Sequence, residues 1–121
     1  MRNIIVCGGS NYRDRKTLYR VLDRIHEDDP ISKIFCGDDF GVDRIARMWC
    51  KKNSVEIHQV QSTDLAVFAA AYTVKNSRII KAALDEGLSA VVAFPGDRAV
   101  DDMIAQAREM NIPTVTIPQY H

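Results

Sequence analysis

The stretch "AFPGDRAVDDM" (93–103) combines the parts of an anion site with acidic side chains. An apolar run, a Pro-Gly turn and the start of a helix bring unpaired backbone N–H groups to the positive end of a helix dipole, where phosphates bind. Asp97, Asp101 and Asp102 place three carboxylates at the same point. Two interpretations stay open: Asp97 is the N-cap of the helix, accepting the N–H of Ala99 or Val100, or it accepts hydrogen bonds from hydroxyls or a cationic group of a ligand.

Two further glycine turns follow apolar runs of the same kind. "NIIVC" (3–7) ends at Gly8 and Gly9, and "KIFCG" (33–37) leads into "DDFG". Short continuous apolar runs are typical of strands buried on both faces of a parallel sheet. Because ligands bind beyond the carboxyl ends of such strands, the three glycine turns are expected to line one crevice.

Several side chains on these loops are candidates for ligand contact. Asp43 is predicted to be a second N-cap, whereas Arg44 stands in the first turn of a helix, where a cation opposes the dipole. For Arg44, ligand contact and an ion pair with Asp38 or Asp39 both stay open. The other basic side chains near the turns, which suit phosphate recognition or are solvated surface charges, are Arg13, Lys75, Arg78 and Arg98.

Two aromatic residues flank the first two glycine turns. Tyr12 follows Gly9 and Phe40 precedes Gly41, positions from which a ring could stack on a planar ligand. For Phe40, packing or a contact between two copies of the chain is an equal alternative. "LAVFAAAY" (65–72) is rich in small apolar residues and is predicted either to cover the sheet or to pack against its copy in a homodimer.

Strands and helices alternate along the chain. Asp14 is predicted to cap a helix that ends at 28–30, with apolar residues at i, i+3, i+4 and i+7. The remaining predicted elements are a helix ending near Asn53, a strand at 55–60, a helix at 64–87 with a break near Tyr72 and Thr73, a strand at 88–94, a helix carrying Val100, Met103, Ile104 and Ala107, and a strand at 113–117. This order predicts an α/β fold, a Rossmann-like three-layer sandwich with a mostly parallel five-stranded sheet, in one domain (1–121) whose tail, 118–121, is dispensable.

Composition limits the classes of function. The 121 residues are 46% apolar and 26% charged, with 16 basic and 16 acidic side chains, so no net field attracts nucleic acid or anionic lipid. No apolar run suits a signal peptide or a membrane span. Cys7, Cys36 and Cys50 lack metal-site spacing and are expected to be reduced thiols in a cytoplasmic protein. The three histidines are scattered, so neither a metal site nor a catalytic triad is expected, and no cofactor is implied.

Four ordered motifs give the chain a family resemblance. "CGGSNYRDRKTLYRVLDRI", "GDDFGVDRIARMWC", "KN" and "AFPGDRAVDDMIAQAREMNIP" resemble the SLOG superfamily, and especially its small stand-alone bacterial and phage branch. That branch is expected to carry GGRDY, GGARGAD, an Arg-Asn pair and AFPGGRGT. Positions that match are Gly9, Tyr12, Asp14, Gly37, Gly41, Asp43, Arg44, Asn76, Pro95 and Gly96.

The departures from the family pattern fall on the loops. Ser10 and Asn11 replace Arg-Asp, and Lys75 replaces the arginine of the Arg-Asn pair. The remaining replacements are Asp38, Asp39 and Phe40 for Gly-Ala-Arg, Tyr72 and Thr73 for Gly-Pro, and Asp97, Ala99 and Val100 for two glycines and a threonine of the phosphate loop. The apolar positions are conventional, so the resemblance implies an intact scaffold with a rewritten site.

The resemblance implies binding of a nucleotide or nucleotide-derived small molecule, sensed or sequestered by a homodimer without catalysis. Lonely Guy enzymes of the superfamily cleave the base-ribose bond with a glutamate, and this chain has Met103 at the corresponding position. Cleavage of an N-glycosidic bond of a nucleoside phosphate is the first alternative to binding without catalysis, and the missing glutamate argues against it. Single-stranded nucleic-acid binding, as in the DNA-uptake members, is the second, and zero net charge argues against it.

The predicted ligand-binding residues come from all three loops and from the "KN" pair. They are Gly9, Ser10, Asn11, Tyr12, Arg13, Gly37, Asp38, Gly41, Asp43, Arg44, Lys75, Asn76, Pro95, Gly96, Asp97 and Arg98. No catalytic residue and no metal ligand is predicted.

Overall fold

A computed structural model describes residues 1–61 and 71–119. The strands are β1 (Arg2–Cys7), β2 (Ile31–Cys36), β3 (Glu56–Gln59), β4 (Ala90–Ala93) and β5 (Thr114–Thr116). The helices are α1 (Arg15–Asp28), α2 (Val42–Asn53), α3 (described as Ala71–Glu86) and α4 (Arg98–Glu109).

The five strands form one parallel sheet in the order β3-β2-β1-β4-β5. The chain moves outward from β1 to β3 and then returns to β4 on the other side of β1. This reversal creates a switch point between β1 and β4, where loops diverge and ligands bind in open α/β sheets. Cys7 pairs with Ala93 in the register, so the two loops leave the sheet at the same height.

Two apolar cores lie on opposite faces of the sheet. On one face, Ile4 and Val6 pack with Trp49 beneath α1 and α2. On the other, Ile5 packs with Ile80 and Met103 beneath α3 and α4. The alternation along β1 directs neighbouring side chains to opposite faces, as expected for a strand covered on both sides.

The α/β three-layer architecture is therefore confirmed, and the strand ends differ from the predicted ones by one or two residues. Tyr72 and Thr73, near which a helix break was predicted, both lie in the described part of α3, and the residues before Ala71 in that predicted helix lie outside the described residues. Thr73 fits there because its hydroxyl donates to Asp102 Oδ1 (3.2 Å). Of "LAVFAAAY" (65–72), residues 65–70 lie outside the described residues. Among the described residues, no helix has both the length and the apolar character that crossing a bilayer requires.

Candidate functional site

The three glycine loops meet at the carboxyl edge of the sheet. The Gly9 N–H donates to the Pro95 carbonyl (2.9 Å), and the Gly9 carbonyl accepts from Val42 N–H at the start of α2 (3.2 Å). Gly41 has φ +71°, and a Cβ there would lie 2.2 Å from the Gly9 carbonyl oxygen. Only glycine satisfies both the backbone angle and this contact, and the three turns therefore form one rim.

The N-terminus of α4 is closed by the chain's own carboxylate. Asp97 Oδ1 accepts from the Ala99 N–H (3.2 Å), and Asp101 stands in the first turn. The N-cap interpretation of Asp97 is confirmed. Gly96 allows the loops to touch, because a Cβ there would be 2.3 Å from Val100 Cγ2 and 2.8 Å from the Gly9 nitrogen.

Asn76 and Asp102 join α3 to α4. The buried Asn76 amide donates to the Ala99 carbonyl (2.8 Å) and to Asp102 Oδ2 (3.0 Å). Asp102 also accepts from Gln106 Nε2 (2.7 Å). These bonds explain why an asparagine is needed at position 76 without invoking a ligand, and they direct Asp102 toward α3.

The predicted N-cap role of Asp43 is wrong. The N-cap of α2 is Gly41, which provides no side-chain cap, and Asp43 is the second residue of the helix. Its Oδ2 accepts from the Asp39 N–H instead (3.2 Å), so the carboxylate ties down the loop before the helix. Asp43 is 8% exposed, and burial raises the pKa of its carboxyl to about 6.

The carboxylates of the second loop pair with Lys75. Lys75 Nζ lies 2.5 Å from Asp38 Oδ1 and 4.0 Å from Asp39 Oδ2. The ion pair considered for Arg44 is thus made by Lys75, and Arg44 is exposed without a salt bridge to any residue that the structure describes. Lys75 and Asp43 line a cavity of about 60 Å³ beside Gly37, which is too small for a nucleotide.

Two larger clefts flank the loop 10–14, which forms a wall of both. The α1–α2 cleft, about 820 Å³, is lined by Ser10, Asn11, Tyr12, Arg13, Asp14, Arg15, Lys16, Phe40, Gly41, Arg44, Ile45 and Met48. The α4 cleft, about 620 Å³, is lined by Ser10, Asn11, Tyr12, Arg13, Asp14, Pro95, Gly96, Asp97, Pro118 and Gln119. Both lie at the strand ends where a ligand site is expected.

The two aromatic residues of the rim differ in their environment. The Tyr12 ring packs against Phe94 with centroids 5.7 Å apart and planes tilted by 57°, so its position has a packing explanation. Burial, and then the neighbouring Asp14, raise the pKa of the Tyr12 hydroxyl. Phe40 is 73% exposed at the edge of the α1–α2 cleft, which leaves its ring available to a ligand or a partner.

The predicted site residues fall into two groups. Residues 10–13, Gly41, Arg44 and 95–97 line one or both open clefts, and Gly9 is buried beside Pro95. Gly37, Asp43, Lys75 and Asn76 surround the small cavity, with Asp38 paired to Lys75. Arg98, the first residue of α4, is exposed and lines none of these spaces.

Sequence reasoning missed Arg15, Lys16 and Met48 in the α1–α2 cleft. A signal for the first two was available: the first turn of α1 has basic side chains and no acidic one, an unfavourable arrangement with the helix dipole. Two residues of the tail that was predicted to be dispensable, Pro118 and Gln119, form part of the α4 cleft.

The cysteines have the character of packed thiols. Cys36 and Cys50 are buried, and burial raises the pKa of the Cys7 thiol at the end of β1 to about 12. These thiols are therefore poor nucleophiles at neutral pH. Within residues 1–61 and 71–119, no three His, Cys, Asp or Glu side chains are grouped so that they could hold a metal ion.

Comparison with known proteins gives one family and one similar fold. The model of the family described as "YAcAr: YspA, cpYpsA-related SLOG family" matches residues 2–62. The fold is similar to that of DNA processing protein A (DprA) from Streptococcus pneumoniae, with a TM-score of 0.55 and 16% identity over the whole of this chain. This chain spans 63% of the DprA chain, and at that identity the likeness concerns the fold alone. No curated protein matches the sequence.

Proposed function

The chain belongs to the YspA- and cpYpsA-related SLOG family, and from that premise we propose that it binds a nucleotide or nucleotide-derived small molecule at the carboxyl edge of its sheet, without catalysis. The observation that carries the proposal is the pair of open clefts beside the loop 10–14. Their volumes fall within the range of roughly 300 to 1,000 Å³ in which small-molecule sites lie.

The polar groups of the α4 cleft favour a ligand with hydroxyl groups. Ser10, Asn11 and Asp97 face this space together with Arg13. Hydroxyl, amide and carboxylate groups can together donate to and accept from a ribose. Asp97 is exposed and accepts from Ala99 through Oδ1, so its other oxygen can accept from a ligand hydroxyl while the cap remains.

The side chains of α4 support binding without bond cleavage. Met103 takes the place where the hydrolases of the superfamily carry a glutamate, and it is fully buried against the sheet. The neighbouring Asp102 is hydrogen-bonded to Asn76 and Gln106. A thioether transfers no proton and stabilises no cationic sugar intermediate, and the hydrogen bonds of Asp102 direct its carboxylate toward α3.

Mass spectrometry of small molecules released by denaturing freshly purified protein is the first test. We expect a nucleotide-derived compound, and intact ligand without free base after incubation. Thermal unfolding against a panel of nucleotides is the second measurement, since a ligand at 100 times its dissociation constant adds roughly 2.7 kcal/mol of stability.

A matched pair of variants locates the site. Ser10 lines both clefts, so the large side chain of Ser10→Trp should occupy them and abolish the rise in melting temperature that a bound nucleotide causes. Ala105→Trp, on the exposed surface of α4, should leave that rise unchanged. The proposal is wrong if no nucleotide co-purifies and none of the panel changes the melting temperature. Release of free base by the wild-type protein would instead favour the hydrolase alternative.

A further inference from the structure

We propose that the phosphate groups of the ligand bind in the α1–α2 cleft, among Arg13, Arg15, Lys16 and Arg44, and not at the N-terminus of α4, and that the ligand carries more than one phosphate. This inference rests on the proposed nucleotide binding and concerns the orientation and class of the ligand. Its first support is the way in which charge is divided between the two clefts.

The loop 10–14 separates a basic cleft from an acidic one. The α1–α2 cleft has four cationic side chains and one carboxylate, Asp14. The α4 cleft has one cation, Arg13, and two carboxylates, Asp14 and Asp97. A phosphate that entered the α4 cleft would approach two like charges, whereas in the α1–α2 cleft it would meet an excess of three positive charges.

The backbone of α4 is also a poor phosphate site. Asp97 already accepts the Ala99 N–H that would point at a bound anion. A phosphate there would have to displace this stabilising cap, and it would then lie beside the displaced carboxylate. The acidic residues of "PGDRAVDD" therefore exclude phosphate from the position at which the family pattern implies it.

The cations of the α1–α2 cleft are available for a ligand. None of Arg13, Arg15, Lys16 and Arg44 forms a salt bridge within the part of the chain that the structure describes. Arg15 and Lys16 are the first two residues of α1, whose N-cap is the carboxylate of Asp14, and Arg44 follows Asp43 in the first turn of α2. The two helix ends thus bring together three cations, two carboxylates and the positive ends of two dipoles, and the excess of positive charge favours an anion between them.

An apolar edge completes the same cleft. Phe40 is 73% exposed and Met48 is 39% exposed, and both line the space that holds the cations. An exposed ring and a thioether provide a surface on which a nucleobase can stack. The cleft thus offers apolar contacts beside its cationic ones.

The number of charges indicates the class of ligand. One phosphate monoester carries roughly −1.5 to −2 charges at neutral pH, which is less than the excess of three in the α1–α2 cleft. A diphosphate, a triphosphate or a molecule with two separate phosphates would match it more closely. Arg15 and Lys16 also line a further depression along α1 in which three more cations, Arg20, Arg24 and Lys52, outnumber the carboxylates of Asp23 and Glu27, so a longer phosphate chain could continue in that direction.

Isothermal titration with adenosine, guanosine and their 5′-mono-, di- and triphosphates tests the inference. We expect affinity for at least one base series to rise about tenfold or more from nucleoside to diphosphate, because charge-assisted hydrogen bonds are added. Arg44→Gln and, separately, Lys16→Gln should weaken diphosphate binding about fivefold or more and leave nucleoside binding within about twofold. Arg108→Gln, the same change at the amino edge of the sheet, is the control and should alter neither.

Asp97→Asn distinguishes the two positions for phosphate, since asparagine keeps the cap and removes the charge. The ratio of diphosphate to nucleoside affinity should stay within about twofold of the wild-type ratio if the phosphates lie in the α1–α2 cleft. A large increase in that ratio, or equal affinity of the wild type for nucleoside and diphosphate, would overturn the inference while the proposed nucleotide binding stands. If neither nucleosides nor nucleotides bind, both proposals fail together.

Discussion

The carboxylate of Asp97 lies at the N-terminus of α4, where the family resemblance implies a bound phosphate. Its Oδ1 accepts the Ala99 N–H, and it is followed by Asp101 in the same turn. The side chain thus provides internally the negative charge that a helix N-terminus favours. A ligand is therefore not needed to satisfy the Ala99 N–H.

Asp97→Ala is therefore expected to lower the free energy of unfolding by about 1 kcal/mol, because the Ala99 N–H loses its acceptor. Asp97→Ser is the matched control, since a serine hydroxyl can cap the same helix and should retain most of the stability. Urea denaturation followed by circular dichroism measures both. An Asp97→Ala protein as stable as the wild type would show that the cap contributes nothing.

Asp43 is expected to make stability depend on pH. Burial raises the pKa of its carboxyl from 3.8 to about 6, so the folded protein holds this proton more tightly than the unfolded chain does. The native state then binds more protons between pH 4 and 6, and the contribution of Asp43 to the free energy of unfolding falls as pH rises through that window.

Asp43→Asn removes the ionisation and keeps an oxygen that can accept the Asp39 N–H. The variant should therefore gain stability relative to the wild type from pH 4 to pH 7, by about 1 to 3 kcal/mol. Melting temperatures of both proteins across this range provide the measurement. A constant difference at all pH values would mean that Asp43 titrates normally in the folded state.

These two aspartates also show what local sequence can predict. Asp97 follows a Pro-Gly turn and precedes a clear helical pattern, so its role as a cap could be predicted from its neighbours. Asp43 precedes an equally clear pattern, but Gly41 is the N-cap and the helix begins at Val42. The reason is a contact distant in sequence, the bond from Val42 N–H to the Gly9 carbonyl, which no local pattern contains.

At the scale of elements, glycines set how closely the loops approach one another. Gly41→Ala should lower the free energy of unfolding by roughly 3 kcal/mol or more, because the added methyl combines a positive φ with a 2.2 Å contact to the Gly9 carbonyl. Gly87→Ala is the control: Gly87 also has a positive φ (+91°), but a Cβ there meets nothing within 4 Å.

Gly87→Ala should lower the free energy of unfolding by about 1 to 2 kcal/mol, which is the cost of a positive φ in a residue with a side chain. The difference between the two alanine variants in urea denaturation therefore isolates the contact between the first and second glycine loops. Equal losses for Gly41→Ala and Gly87→Ala would mean that the loops separate easily and that the rim is not rigid.

The elements themselves were largely predictable, because buried strands and amphipathic helices leave a periodic pattern. What local pattern leaves open is decided by tertiary contacts. Thr73 is fixed in α3 by bonds to Asp102 and Gln106 of α4. An ion pair with Asp38 or Asp39 was one of two alternatives for Arg44, whereas in the structure α3 brings Lys75 to Asp38.

For the whole molecule, a net charge of zero does not show how the charged side chains are arranged. The chain has 16 basic and 16 acidic residues, but Arg15, Lys16 and Arg44 lie on one side of the loop 10–14 and Asp97 on the other, with Arg13 and Asp14 of the loop lining both clefts. Composition sums over the whole surface, so it cannot reveal this separation. The two clefts form because the fold brings α1, α2 and α4 around the loop 10–14.

The two cores are expected to unfold as one unit because β1 contributes to both. Trp49, the single tryptophan, reports on the α1–α2 face, whereas Met103 is fully buried on the other face. Met103→Ala should cost about 2 to 5 kcal/mol through the cavity that it leaves. If the sheet couples its faces, Trp49 fluorescence and far-ultraviolet circular dichroism should show the same lowered midpoint in urea.

Met110→Ala provides the matched control, since Met110 is 53% exposed and its truncation should change stability by about 0.5 kcal/mol or less. A fluorescence transition that stays at the wild-type midpoint in Met103→Ala would contradict a single cooperative unit. Coincident transitions would mean instead that the rim is supported from both faces of the sheet.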